Sequence, residues 1–368
     1  MINLTIVAGA RPNFIKIAPI LNAIKQRQEK GANIRYRLVH TGQHYDKKMS
    51  GDFFEQLNIP EPHINLEAGG GTQAEQTAAI MVGFEKELIQ NRPDLVIVVG
   101  DVTSTLACSI TAKKLVIDVA HVEGGIRSGD LSMPEEVNRI VTDSITDHFF
   151  TTSEIANKHL KAVGVHESRI HFVGNTMIDT LIANQNRFFS PEGPQFEGLK
   201  EKSYFVMTMH RPANVDAEHK LRALIDAILE GTGDYPVVFP VHPRTAQNLA
   251  KLGISNKRLR MVEPLSYLEF NYLVKNAKGV ITDSGGITEE ASVMNVPCIT
   301  MRDNTERPET VNLGTNELVG TNPDNLREPL GRLLAGKWKS YRGIPLWDGK
   351  TADRIVEIIL SIYSNNNN

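Results

Sequence analysis

Short apolar runs bounded by glycine or polar turns alternate along this chain with amphipathic segments of helical period, and that alternation leaves few folds open. A run such as LVIVV at 95–99 has no polar face, so it buries both sides, as a strand does in a parallel sheet wrapped by helices. The first half reads as strands at Leu4–Ala8, Tyr36–His40, Leu95–Val99, Val116–Val122, His148–Thr151 and Ile170–Val173. Helices fall between them at Lys16–Arg27, Met49–Gln56, Thr72–Gln90, Ser104–Lys113, Glu135–Ser144 and Glu154–Val163. At Phe172–Asp179 the rhythm pauses, a polar, proline-containing stretch follows at Asn184–Lys202, and a hinge is expected near Gly174–Asn175. The rhythm restarts with strands at Tyr204–Met209, Val237–Pro240, Leu259–Val262, Gly279–Thr282, Pro297–Met301 and Glu317–Val319. Their helices are His219–Gly231, Arg244–Lys251, Tyr267–Asn276, Thr288–Met294 and Pro323–Ala335, and a final helix is expected at Ala352–Tyr363. The expected class is α/β: two Rossmann-like, doubly wound domains at 1–174 and 175–351, facing across a cleft, then a helix and tail at 352–368. Ligands of such folds bind at the carboxyl ends of the strands.

With 368 residues, 41% hydrophobic and 23% charged, the chain is long enough for two cored domains. Its formal net charge of −3 and scattered Lys and Arg argue against a nucleic-acid footprint and for a small anion. Cys108 and Cys298 have neither metal nor disulfide spacing and read as buried thiols of a reducing compartment. The opening MINLTIVAGARP reads as a first strand and not as a signal peptide, and no apolar run approaches the ~18 residues of a membrane span. A cytoplasmic protein is expected.

Acids at strand ends carry the chemistry. HVEGGIRSGDLSMPEEVNR, 121–139, follows a buried strand and holds Glu123, Glu135 and Glu136. An acid at the end of such a strand is costly unless something charged or reactive meets it. Pro134 followed by two glutamates is equally an ordinary helix start. In VVGDVTSTL, Asp101 sits level with Glu123; it is either a cap for the next helix or a second acid for proton transfer. GARPNFIK puts Arg11 and Lys16 at the end of the first strand, suited to a phosphate or sugar oxygen, without a GxGxxG or Walker pattern. In the second half, MTMHRPANVD delivers His210 and Arg211 and VHPR delivers His242 and Arg244 to the corresponding edge. The histidines and acids lack metal-ligand spacing, so no metal is expected. TDSGGITEEA ends a strand in Asp283, bares amides at Ser284, Gly285 and Gly286, and places Glu290 one turn in, within reach of ribose hydroxyls. MRDNTERPE adds Arg302 and Arg307 for a diphosphate. Together these point to a sugar nucleotide.

The same stretches, with TGQHYD and VGNTMID, resemble the non-hydrolysing UDP-N-acetylglucosamine 2-epimerases nearly end to end. The resemblance implies the glycosyltransferase-B arrangement and reversible inversion at C2 of UDP-GlcNAc to UDP-ManNAc. The route it implies eliminates UDP to a 2-acetamidoglucal and adds it back, with no cofactor. It also implies candidate catalytic roles for Asp101, Glu123, Glu135 and His210. Sugar-nucleotide contacts are implied at Arg11, Lys16, Phe270, Ser284, Gly285, Gly286, Glu290 and Arg307, and Arg211 and His242 join them as substrate-binding candidates from their place at the second edge. A homodimer with no nucleic-acid or membrane partner is expected, its C-terminal helix packed on the first domain. The GARPNF and TGQHYD variants also occur in relatives that epimerise UDP-2,3-diacetamido-glucuronate, so that sugar is the alternative substrate. A UDP-sugar-dependent glycosyltransferase of the same architecture is the alternative reaction.

Overall fold

The computed structural model describes residues 1–42, 54–215, 217–241, 246, 249, 253–254 and 256–365. It divides into two compact units, Met1–Ala183 with Pro345–Asn368, and Asn184–Ile344.

The first unit is built on a seven-stranded sheet of order β3-β2-β1-β4-β5-β6-β7, every neighbouring pair parallel. Its strands are β1 (Ile2–Ala8), β2 (Ile34–His40), β3 (Ile64–Asn65), β4 (Leu95–Val99), β5 (Asp118–Val122), β6 (His148–Thr151) and β7 (Ile170–Phe172). Its helices are α1 (Arg11–Glu29), α2 (Gln73–Gln90), α3 (Thr103–Lys114), α4 (Pro134–Ile145), α5 (Glu154–Ala162) and α6 (Thr176–Asn184). One face of the sheet buries Val7, Val39, Val96, Val98 and Val119 against Ile80, Phe84 and Leu88 of α2 and Ala107 and Ala112 of α3. The strand order reverses between β1 and β4, the switch point at which doubly wound sheets bind ligands.

The second unit holds a six-stranded parallel sheet of order β10-β9-β8-β11-β12-β13. Its strands are β8 (Phe205–Thr208), β9 (Val237–Pro240), β10 (Leu259–Val262), β11 (Gly279–Thr282), β12 (Cys298–Thr300) and β13 (Asn316–Leu318). Its helices are α7 (Pro212–Val215), α8 (Glu218–Gly231), α9 (Tyr267–Asn276), α10 (Gly285–Val293), α11 (Pro308–Asn312) and α12 (Arg327–Leu334). Alternate strand residues feed two cores. Phe205, Met207, Val237, Phe239, Ile281 and Ile299 lie on one face, and Val206, Val238, Val280 and Cys298 on the other.

Three departures from the sequence expectation have physical causes. The chain passes between units at Ala183–Asn184, not at Gly174–Asn175, because Thr176–Asn184 is a helix whose Ile178 and Leu181 are fully buried. Gly174 is a turn within the first unit: its φ is +103°, and a Cβ there would lie 2.1 Å from the Leu346 carbonyl oxygen. The return to the first unit precedes residue 352. Trp347 Nε1 donates to the Thr152 carbonyl at 3.0 Å and the Ala352 amide donates to Asp179 at 2.7 Å. The last helix, α13 (Thr351–Asn365), then packs on α1, and Tyr363 donates to the Asp94 carbonyl. Finally, α1 begins at Arg11 and not at Lys16. Proline is tolerated in a first helical turn, and Asn13 reaches back to accept from the Gly9 and Ala10 amides at 3.2 and 2.9 Å. The helices expected at Met49–Gln56 and Arg244–Lys251 lie largely outside the described residues.

Candidate functional site

Strand register gathers the acids of the first unit. Val99 of β4 pairs with Val122 of β5, so the next residues, Gly100-Asp101 and Glu123, leave the sheet side by side; the Gly100 amide donates to the Val122 carbonyl at 3.0 Å. Glu123 has φ +74°, a left-handed conformation uncommon outside glycine, and is only 4% exposed. Its Oε2 lies 2.7 Å from Lys16 Nζ, which reaches across from α1. Gly100 makes room for that approach, since a Cβ there would sit 3.1 Å from the same Nζ.

Asp101 does not cap α3, one of the two readings the sequence allowed. Val102 is the cap residue, without a side-chain hydrogen bond, and the Asp101 carboxylate instead pairs with Arg139 of α4, whose Nε donates at 3.0 Å. Asn138 adds a 2.8 Å bond to the Asp101 carbonyl. The two glutamates at the start of α4 separate into different roles. Glu136 is buried and accepts from the Ser128 and Gly129 amides at 2.9 and 3.0 Å and from Arg139 Nη1 at 2.7 Å. Burial works to raise its carboxyl, but those donors hold it below the ordinary value. Glu136 therefore braces the loop before the helix. Glu135 is half-buried and takes no ion pair among the described residues. Arg139 escaped the sequence reading; its place three residues after Glu136, on the same helix face, was the available signal.

The second unit repeats the device. Thr208 of β8 pairs with Thr282 of β11, and Thr282 with Thr300 of β12, so His210-Arg211, Asp283-Ser284 and Arg302 emerge together at the carboxyl edge. Asp283 is fully buried and organises them. It accepts from the His210 and Arg211 amides at 3.1 and 3.0 Å, from Asn214 Nδ2 at 3.1 Å and from His210 Nδ1 at 2.8 Å. The His210 ring itself is 61% exposed, so it is no satisfied core histidine. α10 starts at Gly285, earlier than the Thr288 expected, with Ser284 as its cap residue. The glycine lets Glu306 and Arg302 close over the start of the helix: a Cβ at 285 would lie 2.6 Å from Glu306 Oε1 and 3.7 Å from Arg302 Nη1. Arg302 is buried and pairs with Glu306 at 2.7 Å, while its Nε and Nη1 have no hydrogen-bond partner among the described residues. Arg307 pairs with Glu289. Phe270 packs against the Tyr204–Cys298 core, Arg11 is half-buried at the first position of α1, and His242 lies outside the described residues.

Sequence comparison decides the family. The family described as UDP-N-acetylglucosamine 2-epimerase matches residues 26–360. The chain belongs to that family. A Methanocaldococcus jannaschii UDP-N-acetylglucosamine 2-epimerase is 42% identical over 97% of this chain and 98% of its own. A Pseudomonas aeruginosa UDP-2,3-diacetamido-2,3-dideoxy-D-glucuronate 2-epimerase is 37% identical over 98% and 99%. The crystal structure of the M. jannaschii enzyme in complex with UDP-GlcNAc and UDP superposes with a TM-score of 0.86, covering 98% of this chain and 100% of that one at 41% identity.

This epimerase-family chain holds buried carboxyls in an unusual state, Asp179 and Glu290 among them. Glu290 on α10 is 4% exposed and accepts from Tyr267 Oη at 2.9 Å. Burial, reinforced by the Glu289 charge, pushes it up to about 7. The folded value lies above the unfolded one, so between them the folded state holds a proton that the unfolded state has lost. Its contribution to stability therefore falls as pH rises from about 4.5 to about 7, by ~3 kcal/mol. Glu290→Gln is expected to abolish that decline, so urea melts of variant and parent should diverge more at pH 8 than at pH 5. Parallel curves would refute the assignment.

An open recess of about 620 Å³ lies at the other edge of the first sheet, lined by Asn3, Arg35, Arg37, His63 and Arg92 near the amino ends of β1 and β2, and is separate from these acids. Cys108 and Cys298 are buried thiols, the latter pushed up to about 12 by burial. Among the described residues no group of three or more His, Cys, Asp or Glu could hold a metal ion, and no helix is long and apolar enough to cross a membrane.

Proposed function

We propose that the chain reversibly epimerises UDP-GlcNAc to UDP-ManNAc, eliminating UDP across C1–C2 to a 2-acetamidoglucal and adding it back after reprotonation on the opposite face. What supports this reading is the placing of Asp101 and Glu123 at one sheet edge, with Glu135 in the first turn of the helix whose Arg139 holds Asp101, each acid in a different charge environment. Asp101 is paired with Arg139, Glu123 with Lys16, and Glu135 with no cation among the described residues. A C2 proton is only weakly acidic, so its removal must accompany departure of UDP, and inversion needs a base on one face and an acid on the other. Glu123 and Glu135 are assigned as that pair, with Asp101 as base or electrostatic partner. A glycosyltransferase has no comparable use for three acids in the unit that does not hold the nucleotide.

The second unit is assigned the nucleotide. The first amides of α10 lack intrahelical acceptors, and with Arg302, Arg211 and His210 at the same edge they suit a diphosphate. His210 and Arg211 stabilise the charge that develops on departing UDP. Ser284, Gly285, Gly286, Arg307 and His242 complete the nucleotide contacts, with Glu290 for the ribose and Phe270 near the uracil. Arg11 and Lys16 are assigned to the sugar nucleotide from the first unit. The relative solved with UDP-GlcNAc and UDP supports the substrate.

Proton NMR with UDP-GlcNAc in deuterated water, without acceptor or cofactor, tests the reading. Deuterium at C2 together with UDP-ManNAc is the expected result. Release of free ManNAc and UDP would make the enzyme a hydrolysing one, and an unchanged spectrum would reject UDP-GlcNAc and call for UDP-2,3-diacetamido-glucuronate in the same assay.

A further inference from the structure

Glu123 is bracketed by a buried pair to which the chemistry above gives no part. His121 lies two residues before it on β5, and Asp143 lies on α4; Nδ1 and Oδ1 are 2.7 Å apart, and both side chains are buried. Asp143 Oδ2 accepts from the Gly125 amide, two residues after Glu123, at 3.0 Å, and meets Arg127 Nη1 at 2.6 Å. The other ring nitrogen, His121 Nε2, lies 2.8 Å from the carbonyl oxygen of Gly100, the residue that leads into Asp101. A carbonyl only accepts, so Nε2 bears hydrogen. Burial works to raise the Asp143 carboxyl, but His121 and Arg127 hold it below the ordinary value, so it too accepts and Nδ1 donates.

The three segments so joined are the ones that carry the candidate acids: the end of β4 with Asp101, the end of β5 with Glu123, and α4 with Glu135. The turn after β5 needs such a clamp. Glu123 is left-handed, and a Cβ on Gly124 or Gly125 would lie 2.9 Å from the Phe149 ring or 2.5 Å from the Ala156 carbonyl oxygen, so neither position can carry a side chain to brace the turn itself.

We infer that the His121–Asp143 pair is the positioning device of the site, setting the spacing of Asp101, Glu123 and Glu135 from beneath, so that the rate of C2 proton exchange depends on two residues that do not touch the sugar. The inference rests on the epimerase reading above. Asp143→Asn keeps the shape and removes the charge. It is expected to lower kcat for C2 exchange at least 30-fold per folded enzyme while KM stays within threefold and UDP affinity is unchanged. Asp147→Asn is the control: its carboxylate holds Lys113 and the Val119 amide at the amino end of the same sheet, and its kcat should stay within twofold of the parent. A wild-type kcat in the Asp143 variant, or a loss no larger than in the Asp147 variant, would overturn the proposal. Nitrogen-15 spectra of the parent's histidine rings give a second reading that depends on neither variant nor substrate. Each nitrogen of His121 should show a hydrogen-bonded proton, Nδ1 toward Asp143 and Nε2 toward the Gly100 carbonyl, and a bare nitrogen would overturn the linkage. If the parent exchanges no C2 proton on either sugar nucleotide, the epimerase reading fails, and the ring spectrum still decides the linkage.

Discussion

Glu123→Gln is expected to slow hydrogen exchange at C2 by ~10²–10⁴-fold, the usual contribution of a positioned base, while UDP affinity is retained. The isosteric amide keeps the contacts of a side chain that is 4% exposed and loses only its charge. That charge also answers Lys16, whose Nζ lies 2.7 Å away and whose side chain is 13% exposed. Removing one partner of a buried pair strands the other, at ~3–5 kcal/mol when burial is complete; the residual exposure of Lys16 places the expected loss nearer 2 kcal/mol. Stability and chemistry therefore fall together in the single variant, and a second substitution separates them. Adding Lys16→Met removes the stranded ammonium and should return most of the lost stability in a urea melt, yet none of the exchange. Recovery of exchange in the double variant would mean that Glu123 acts through folding and not on the proton.

Five strands, Leu95–Val99, His148–Thr151, Val237–Pro240, Leu259–Val262 and Gly279–Thr282, run between the limits read from the sequence. Leu95–Val99 and Gly279–Thr282 are buried along their whole length and stop at Gly100 and at Asp283, and a strand buried on both faces cannot extend past such a stop. The strand ends then locate Asp101, Glu123, His210 and Asp283 without further help. What holds those residues was less visible, because pairing joins segments far apart in the chain: Lys16 and Glu123 are 107 residues apart, and His210 and Asp283 are 73. Nothing local marks Asp143 as the partner of His121, or Glu136 rather than Glu135 as the brace. The same limit explains the missed helix at Thr176–Asn184. Gly174-Asn175 reads as a hinge locally, yet Asn175 Oδ1 accepts from the Met177 amide at 2.9 Å and opens a helix whose apolar side is buried in the first unit. β3, two residues long, offers no pattern to read.

Asp283→Ala should cost the second unit both stability and nucleotide binding. Two amides, Asn214 Nδ2 and His210 Nδ1 all converge on this fully buried carboxylate, so truncation leaves several donors unanswered. Each stranded group carries ~1–3 kcal/mol, and partial relaxation and water entry make a total of ~3–5 kcal/mol the reasonable expectation. His210 then loses the bond that orients its exposed ring, and UDP affinity by calorimetry should fall at least tenfold, that is by ~1.4 kcal/mol or more. The pH dependence carries its own signature. Burial works to raise the Asp283 carboxyl, but His210, the Arg211 amide and Asn214 more than reverse it, so the folded value lies below the unfolded one. Its contribution is therefore complete above the ordinary carboxylate value of ~3.9 and is lost as pH falls through the lower folded value. The alanine variant should lack that acid-side loss, so its deficit against the parent shrinks below about pH 4. Asp283→Asn keeps one oxygen for the amides and should retain more stability than alanine while losing the charge that answers His210. Equal behaviour of the alanine and parent enzymes in UDP binding would mean that the clustered His210, Arg211 and Asp283 serve the fold alone.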